Sequence, residues 1–459
     1  MVDPFAPFRN AVTRHSSLIH SFCGLVILTI GCFTIAGCNT AAKRLDRGRI
    51  AYFSGDLETA RLEFSKVATS RSPLAKPAKL DLAMVEIARG DLKSAMDNLR
   101  SSRDAFDEAT KLSFAGDAAS MLTDDRARQF KPAGYEEVMV RSMLSLCSLV
   151  TGDGDAESYA MQAHVRQTEL ARAAEERGLN STKPVYQPLA LAPYMRGVLR
   201  EATLHDYEDA LRSYQLVSHL QPQFAPAAVD IERCGGGVHS APNHGVLYVF
   251  ACVGRGPILE SVDAPATTAA MQIATQVYSL AENQRTMLPN LAQVQVPAVR
   301  VPFSPAKSIS IDSSGVWLGA TQTLVDIGDM AIKQNEAEMP WTIARAMVRR
   351  VTKEVTVSQA TKAVGVNGFP GELVRFATVT AWSASEQADT RCWSLLAREI
   401  QVLRAELPVG KHRIGFAVVD AYGRQIGVKS TCEVEIENAR NNYLTIIAPD
   451  QTAMATDCQ

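Results

Sequence analysis

The stretch from Gly55 to Val67, GDLETARLEFSKV, decides the fold of the first half of this chain. It opens on a Gly-Asp turn and continues with Ala60, Phe64 and Val67 along one side of a helix. The glycine lets the chain reverse, because glycine adopts left-handed backbone angles without a steric penalty. The small Ala60 lets a second helix approach closely, and the two larger side chains fill the groove between the helices. The stretch therefore predicts a helical hairpin.

The same pattern returns further along the chain, which indicates a repeat. Gly90-Asp91-Leu92 follows the first turn at an interval of 35 residues, close to the ~34 residues of a tetratricopeptide repeat. Another copy turns at His205-Asp206-Tyr207, and a degenerate copy turns at Gly152-Asp153. Residues 38–233 are therefore predicted to form a tetratricopeptide-like array of four helix pairs. A curved array of this kind suits an extended protein partner, which we expect in its groove.

The start of the chain has the pattern of an export signal. Arg9 and Arg14 precede an apolar run from Phe22 to Ala36. This run is shorter than the ~20 residues that span a bilayer, and it suits a secretory leader. It ends in Ile35-Ala36-Gly37-Cys38, which resembles the cleavage pattern of bacterial lipoproteins. We therefore expect residues 1–37 to be a lipoprotein signal peptide, with an ordinary leader or a transmembrane anchor as alternatives.

Cys38 is the residue that would carry the lipid, palmitate among its acyl chains, and become the new N-terminus. No later stretch of the sequence is apolar for long enough to span a bilayer, so the lipid would be the membrane anchor. The next residue is Asn39 rather than aspartate. This favours an outer-membrane location, with the protein facing the periplasm.

Composition argues for a globular chain without a nucleic-acid partner. Apolar residues make up 46% of the sequence, charged residues make up 21%, and the net charge is −2. A nucleic-acid binder would show a basic face or aromatic platforms. Beyond Cys38 six cysteines remain, and these allow fifteen pairings, among which Cys234 with Cys252 and Cys392 with Cys432 are conceivable bridges.

The second half reads as a different kind of structure, so the fold class is α+β. Residues 234–245 are rich in glycine and are predicted to be a linker. Residues 246–449 are predicted to form a mixed domain with a small antiparallel sheet and inserted helices, and residues 450–459 to be a flexible tail. The predicted helices are Thr267–Met287, Thr323–Asn335, Trp341–Val364 and Glu372–Ser383, the last of which could also be a strand. The final sheet is predicted from strands at Arg398–Leu407, His412–Asp420, Gln425–Glu437 and Tyr443–Ile447.

Several segments resemble an uncharacterised family of bacterial envelope lipoproteins. The resemblance lies in Asp389-Thr390-Arg391-Cys392-Trp393, Leu407–His412, Tyr135–Val140 and Gly245–Phe250. It departs from the family at Cys392, where serine is expected, and in an insert at 264–290. The resemblance implies a lipobox, N-terminal repeats and a role in envelope assembly or secretion, and it implies no catalytic residue.

The residues themselves also give no sign of catalysis. No nucleophile elbow or zinc-binding helix motif occurs in the sequence. Cys234, His239, His244 and Cys252 share one window, but their spacing matches no zinc pattern, so we expect no metal and no cofactor. The acidic groups that merit inspection are Asp124-Asp125, expected to be a loop or cap, and Glu386 with Asp389, expected to pair with Arg391 or Arg398.

The sequence therefore predicts a non-enzymatic scaffold, held to a membrane by lipid, that binds a protein partner in the cell envelope. The alternative is an envelope enzyme or a glycan-binding protein that uses a pocket in the second domain. Convergent carboxylates in a deep polar pocket would favour the alternative.

Overall fold

The chain builds a helical half first and strands afterwards, which confirms the predicted α+β class. The computed structural model describes residues 40–113, 130–176, 189–265, 267–272, 294–363 and 388–456. The helical half consists of α1 (40–54), α2 (Leu57–Ala68), α3 (Ala75–Ala88), α4 (Leu92–Ser113), α5 (Gly134–Thr151), α6 (Ala156–Glu176), α7 (Leu191–Glu201), α8 (Tyr207–Leu220) and α9 (Pro226–Gly235). Consecutive helices pack against each other along the chain.

The first hairpin forms for the reasons that its sequence indicates. Gly55 has a φ of +84°, the left-handed conformation that lets α1 turn into α2. Asp56 caps α2, because its side chain accepts a hydrogen bond from the Thr59 N–H at 3.0 Å. Phe64 is fully buried, and a methyl group added to Gly48 of α1 would lie 2.8 Å from the Phe64 ring. The two helices therefore cross in close contact at this glycine.

The strands form three sheets. Their bounds are β1 (His244–Arg255), β2 (Ile258–Ala264), β3 (Val294–Arg300), β4 (Ser308–Ser313), β5 (Val316–Ala320), β6 (Gln322–Asp326), β7 (Ala397–Pro408), β8 (Gly410–Val419), β9 (Gln425–Ile436), β10 (Asn441–Ala448) and β11 (Met454–Thr456). Sheet A has the order β11-β10-β1-β7-β6, and sheet C has the order β5-β4-β8-β9. Strands β2 and β3 form the two-stranded sheet B. They lie beside the short helix α10 (268–272) and the long helix α11 (Ile327–Ala363).

Sheet A is the middle of three layers. Alternate residues of β1 point to opposite faces, as in any strand. Val246, Tyr248, Phe250 and Cys252 join one continuous core with the helices. The intervening residues of β1, from Leu247 to Val253, pack against sheet C. The predicted helical and mixed domains therefore share one hydrophobic core across the predicted linker.

The predicted antiparallel sheet is corrected in its strand partners. Its four strands belong to two sheets, because β7 and β10 flank β1 while β8 and β9 pair with each other. The pairing of β1 with β10 is parallel, so sheet A is mixed. The reason is burial: β10 carries apolar residues on both faces, with Ile447 toward the helices and Ile446 toward sheet C.

Three further predictions of helices, strands or flexible segments are wrong. The predicted helix Thr323–Asn335 begins as strand β6, since Leu324 and Val325 suit a strand paired with β7. Beyond it α11 runs as one helix through Pro340, where two helices are predicted. The predicted flexible tail contains β11, which pairs with β10.

Other predictions fall outside the described residues. These are the signal peptide 1–37, the lipid-bearing Cys38, the acidic pair Asp124-Asp125, most of the helix Thr267–Met287, the helix Glu372–Ser383 and Glu386.

Candidate functional site

The inner face of the helical half is formed by the first helix of each pair, α1, α3, α5 and α7. Helix α3 contacts β10 and β11, and helix α5 contacts β10. In α7, the Tyr194 ring meets the Phe250 ring of β1 edge-on, with ring centres 6.4 Å apart. In α1, the Phe53 ring lies under the guanidinium of Arg255 at 4.3 Å. Sheet A therefore covers the face where the sequence analysis expects a partner.

A segment that we call the strap, residues 388–396, lies between this inner face and the start of β7. Trp393 is 1% exposed, and Leu395 and Leu396 belong to the same core as the helices. The strap contains Asp389-Thr390-Arg391-Cys392-Trp393, one of the segments on which the predicted family resemblance rests. It is neither helix nor strand, contains a turn at Ser394 and Leu395, and is held against the helices.

Two buried carboxylates hold the strap by its backbone. Asp81 of α3 accepts the Leu395 N–H at 2.8 Å and the Ser394 hydroxyl at 2.7 Å. Glu136 of α5 accepts the Trp393 N–H at 2.6 Å. Both acidic residues are almost fully buried, at 0% and 1% exposure. Because a buried N–H without a partner is costly, these bonds fix the position of the strap.

Neighbouring groups complete this contact between the helices and the strap, which we call the first junction. The guanidinium of Arg49, on α1, donates to the Ser394 hydroxyl at 2.8 Å and is the cation that acts on Asp81. Glu136 also accepts the Ala133 N–H at 2.8 Å, which caps its own helix. The junction therefore ties α1, α3 and α5 to one short segment.

Burial changes the protonation of both acids. It raises the pKa of Asp81 to about 6, although Arg49 and the hydrogen bonds from Ser394 and Leu395 oppose the rise. It raises the pKa of Glu136 to about 7, and the nearby Asp81 adds to that rise by repulsion. Both pKa values therefore lie close to neutral pH, because backbone donors replace only part of the lost hydration.

A second junction ties the fourth helix pair to sheet A. Glu201, at the end of α7, is fully buried and accepts hydrogen bonds from Arg233 at 2.6 Å and from the Tyr214 hydroxyl at 2.9 Å. Arg404 of β7 reaches Glu201 at 3.5 Å and lies over the Tyr248 ring. Asp230 pairs with Arg233 at 2.8 Å. At this second junction, guanidinium cations therefore surround the buried carboxylate of Glu201.

The residues singled out in the sequence have structural partners. Asp389 binds Arg391 through both of its carboxylate oxygens, at 2.7 and 2.6 Å, which confirms the predicted ion pair. His239 is buried and meets Asn441 at 2.8 Å, while His244 meets the Pro242 carbonyl. Within the described ranges, no group of three or more His, Cys, Asp or Glu residues could hold a metal ion.

Cys234, Cys252 and Cys392 are buried thiols. Cys234, Cys252 and Cys392 are each free, so neither conceivable bridge is present in the structure. Burial raises the pKa of each of these three thiols to about 12. Such thiols are poor nucleophiles at neutral pH.

The outer face of the helical half is formed by the second helix of each pair. It exposes large apolar side chains from three of these helices: Leu62 of α2, Met161 and Val165 of α6, and Leu216 of α8, each between 44% and 52% exposed. Contiguous exposed apolar patches mark interaction surfaces, whereas single exposed apolar residues are normal.

The sequence analysis missed Asp81 and Glu136. A signal does exist for Asp81, which interrupts the apolar run Leu80-Asp81-Leu82-Ala83-Met84-Val85. An acid within a helix that is apolar on all sides must find a buried partner. The pattern does not name that partner, because the strap follows some 300 residues later, as the Asp81–Ser394 separation of 313 shows.

Comparison with protein-family models, with curated proteins and with solved structures finds no match to this chain. Among the helices that the structure describes, none is both long enough and apolar enough to cross a bilayer.

Proposed function

We propose that this protein is an envelope lipoprotein, anchored through lipid on Cys38, that acts as a non-enzymatic scaffold for a protein partner. Its helix pairs are tetratricopeptide-like repeats in this proposal. The left-handed turn glycines Gly55 and Gly90 support that assignment, with φ of +84° and +79°. So does the close contact of Gly48 with Phe64, which recurs between Gly197 and Tyr214.

One observation carries the proposal: the helical half already holds a segment that is neither helix nor strand, the strap, by hydrogen bonds from the strap backbone to Asp81 and Glu136. Stacked helical repeats use their extended concave surfaces to bind other chains. The most deeply buried acids are engaged in holding the layers together, which favours a structural role for them over a catalytic one.

Because the strap and sheet A occupy the inner face, we place the partner on the outer face. The apolar residues exposed there, Leu62, Met161 and Leu216, would supply the contact area. A partner that covers them would remove apolar surface from water, the main favourable contribution in protein association.

Site-specific photo-crosslinking tests this placement. A photoreactive residue is introduced at Met161 or Leu216 in cells, and as a control at the exposed Val428 of sheet C or at the exposed Tyr422 in the turn between β8 and β9. We expect the same adduct from both outer-face positions and no such adduct from the control positions. Adducts that form from the control positions alone would contradict the placement.

Mass spectrometry of the mature N-terminus tests the anchor. We expect a first residue Cys38 that carries acyl chains, and a Cys38→Ser variant that is neither acylated nor cleaved at that position. A mature chain that begins elsewhere would contradict the lipoprotein proposal.

A glycan-binding surface is the second candidate, and one feature favours it. Trp317 of β5 is 68% exposed and stands opposite Asp312 of β4. Lys429 reaches across Gly415 to Asp312 at 2.6 Å, so an aromatic ring lies beside a flat polar strip. Binding of soluble cell-wall fragments, followed by Trp fluorescence and lost in Trp317→Ala, would favour this candidate over the scaffold.

A further inference from the structure

We infer that one end of the first helix pair is a docking surface for anionic phospholipid headgroups. We call it the basic end, and it comprises residues 40–47 and 63–76. Six basic side chains and two acidic ones, Asp46 and Glu63, lie in these two segments. The basic residues are Lys43, Arg44, Arg47, Lys66, Arg71 and Lys76.

The fold brings these segments together. Helices α1 and α2 are joined by the tight turn at Gly55 and run antiparallel, crossing where Gly48 meets Phe64. The start of α1 is therefore level with the end of α2, and the next turn leads directly into the start of α3. The charged side chains of both segments therefore lie at the same end of the helix pair.

Contacts within the basic end leave it positive. Glu63 is approached by Arg44 at 3.1 Å, by Arg47 at 3.2 Å and by Lys66 at 4.0 Å. One carboxylate cannot neutralise three cations. Lys43 and Arg71 add two more exposed cations that have no ion pair among the residues described.

The opposite end of the same helices differs in charge. Residues 54–61 and 86–93 hold four acidic side chains, Asp56, Glu58, Glu86 and Asp91, against three basic ones. Arg61 and Arg89 are both paired there with Glu86, at 3.0 and 2.7 Å. The positive charge is therefore concentrated at one end and is not a general property of these helices.

The position of the proposed lipid anchor favours a membrane as the partner of the basic end, and this step rests on the proposed function. Cys38 precedes Thr40, the first residue of α1, by two positions. Two residues span at most about 7 Å. A lipid on Cys38 would thus hold the basic end within about one Debye length of the headgroups, where each Lys or Arg strengthens binding to anionic lipid about fivefold.

Vesicle co-sedimentation tests the inference without the lipid. The probe protein is the chain from residue 38 with Cys38→Ser, which contains every helix and strand described. The vesicles are phosphatidylcholine alone or phosphatidylcholine with about one-third phosphatidylglycerol. We expect binding to the anionic vesicles, loss of that binding in high salt, and little binding to the neutral vesicles.

Charge reversal at the basic end is compared with a matched control. Lys43→Glu with Arg71→Glu should weaken binding to anionic vesicles more than about tenfold. Lys93→Glu with Lys411→Glu makes the same change in net charge at exposed positions elsewhere and should weaken it far less. Circular dichroism checks that both double variants fold.

Equal losses in the two double variants, or no preference of the parent protein for anionic vesicles, would overturn the inference. If the parent protein shows no preference for anionic vesicles, an acidic protein becomes the expected partner of the basic end. Neither result bears on acylation of Cys38, which mass spectrometry reads separately, so failure of the docking surface is distinct from failure of the lipoprotein proposal.

Discussion

At the second and third helix pairs buried carboxylates meet backbone N–H groups, whereas at the fourth pair a buried carboxylate meets guanidinium groups. The first junction joins Asp81 and Glu136 to the strap. The second joins Glu201 to Arg233 and Arg404. Both attach sheet A and its strap to the helices. We expect the second junction, which is built from full charges, to lose much of its stability when one charge is removed. We expect the stability of the first junction, which is built from backbone donors, to change when its acceptor carboxylates are protonated.

Removal of Glu201 should break the charged junction and give the largest effect. Glu201→Ala leaves Arg233 and Arg404 buried, at 12% side-chain exposure each, without their main carboxylate. Loss of one partner from a buried ion pair costs about 3–5 kcal/mol. We expect a loss of that size in the free energy of unfolding, measured by urea denaturation.

The control for that variant is Glu157→Ala. Glu157 pairs with Arg200 at 2.7 Å but is 37% exposed, so its removal should cost less than about 1 kcal/mol. Equal losses in the two variants would contradict the special role of burial at Glu201.

Removal of Asp81 should have a smaller effect, because it leaves neutral donors rather than charges unpaired. In Asp81→Ala the Leu395 N–H and the Ser394 hydroxyl lose their acceptor, a cost of about 1–3 kcal/mol. Asp81→Asn keeps an acceptor oxygen and should recover much of the loss at pH 7. An asparagine variant as unstable as the alanine variant would show that the charge is required.

The dependence of stability on pH sharpens the comparison further. The folded-state pKa values of Asp81 and Glu136, about 6 and about 7, lie above the ordinary values of 3.8 and 4.5. A raised pKa means that the folded state binds protons more tightly than the unfolded state. The stability contribution of these two groups is therefore fully present below about pH 4 and is lost as the pH rises through 6 and 7.

We expect the double variant Asp81→Asn with Glu136→Gln to remove part of that dependence. Between pH 5 and pH 8 the parent protein should lose about 4 kcal/mol more than the double variant does, because the folded-state pKa values of about 6 and about 7 lie one and two pH units above pH 5. Urea denaturation at several pH values measures the difference. Parallel pH curves for the two proteins would contradict the assignment to these two acids.

Local signals in the sequence account for what could be predicted. The turn at Gly55 and the buried Ala60 and Phe64 follow from residues within one hairpin. The error at β6 has a local cause too, since a five-residue segment with two apolar residues, Leu324 and Val325, fits a strand or a helix and is decided by its pairing with β7.

The candidate site depends on contacts that no local pattern specifies. Asp81 and Glu136 meet a strap that follows some 250 to 310 residues later, at separations of 313 and 257 for Ser394 and Trp393. Likewise β1 takes β10 as a parallel neighbour, with Val246 opposite Asn441. Partners at such distances are selected by the packing of whole layers.

The central position of β1 has a consequence for the order of folding. Both neighbours of this strand, β7 and β10, come from the last part of the chain. A chain that crosses a membrane N-terminus first would present its helices long before the strands that seal them arrive. Contacts so distant in sequence make folding slow. During that interval the apolar inner face would be exposed to solvent. The protein would then need a partner that covers apolar surface until residue 448 completes β10.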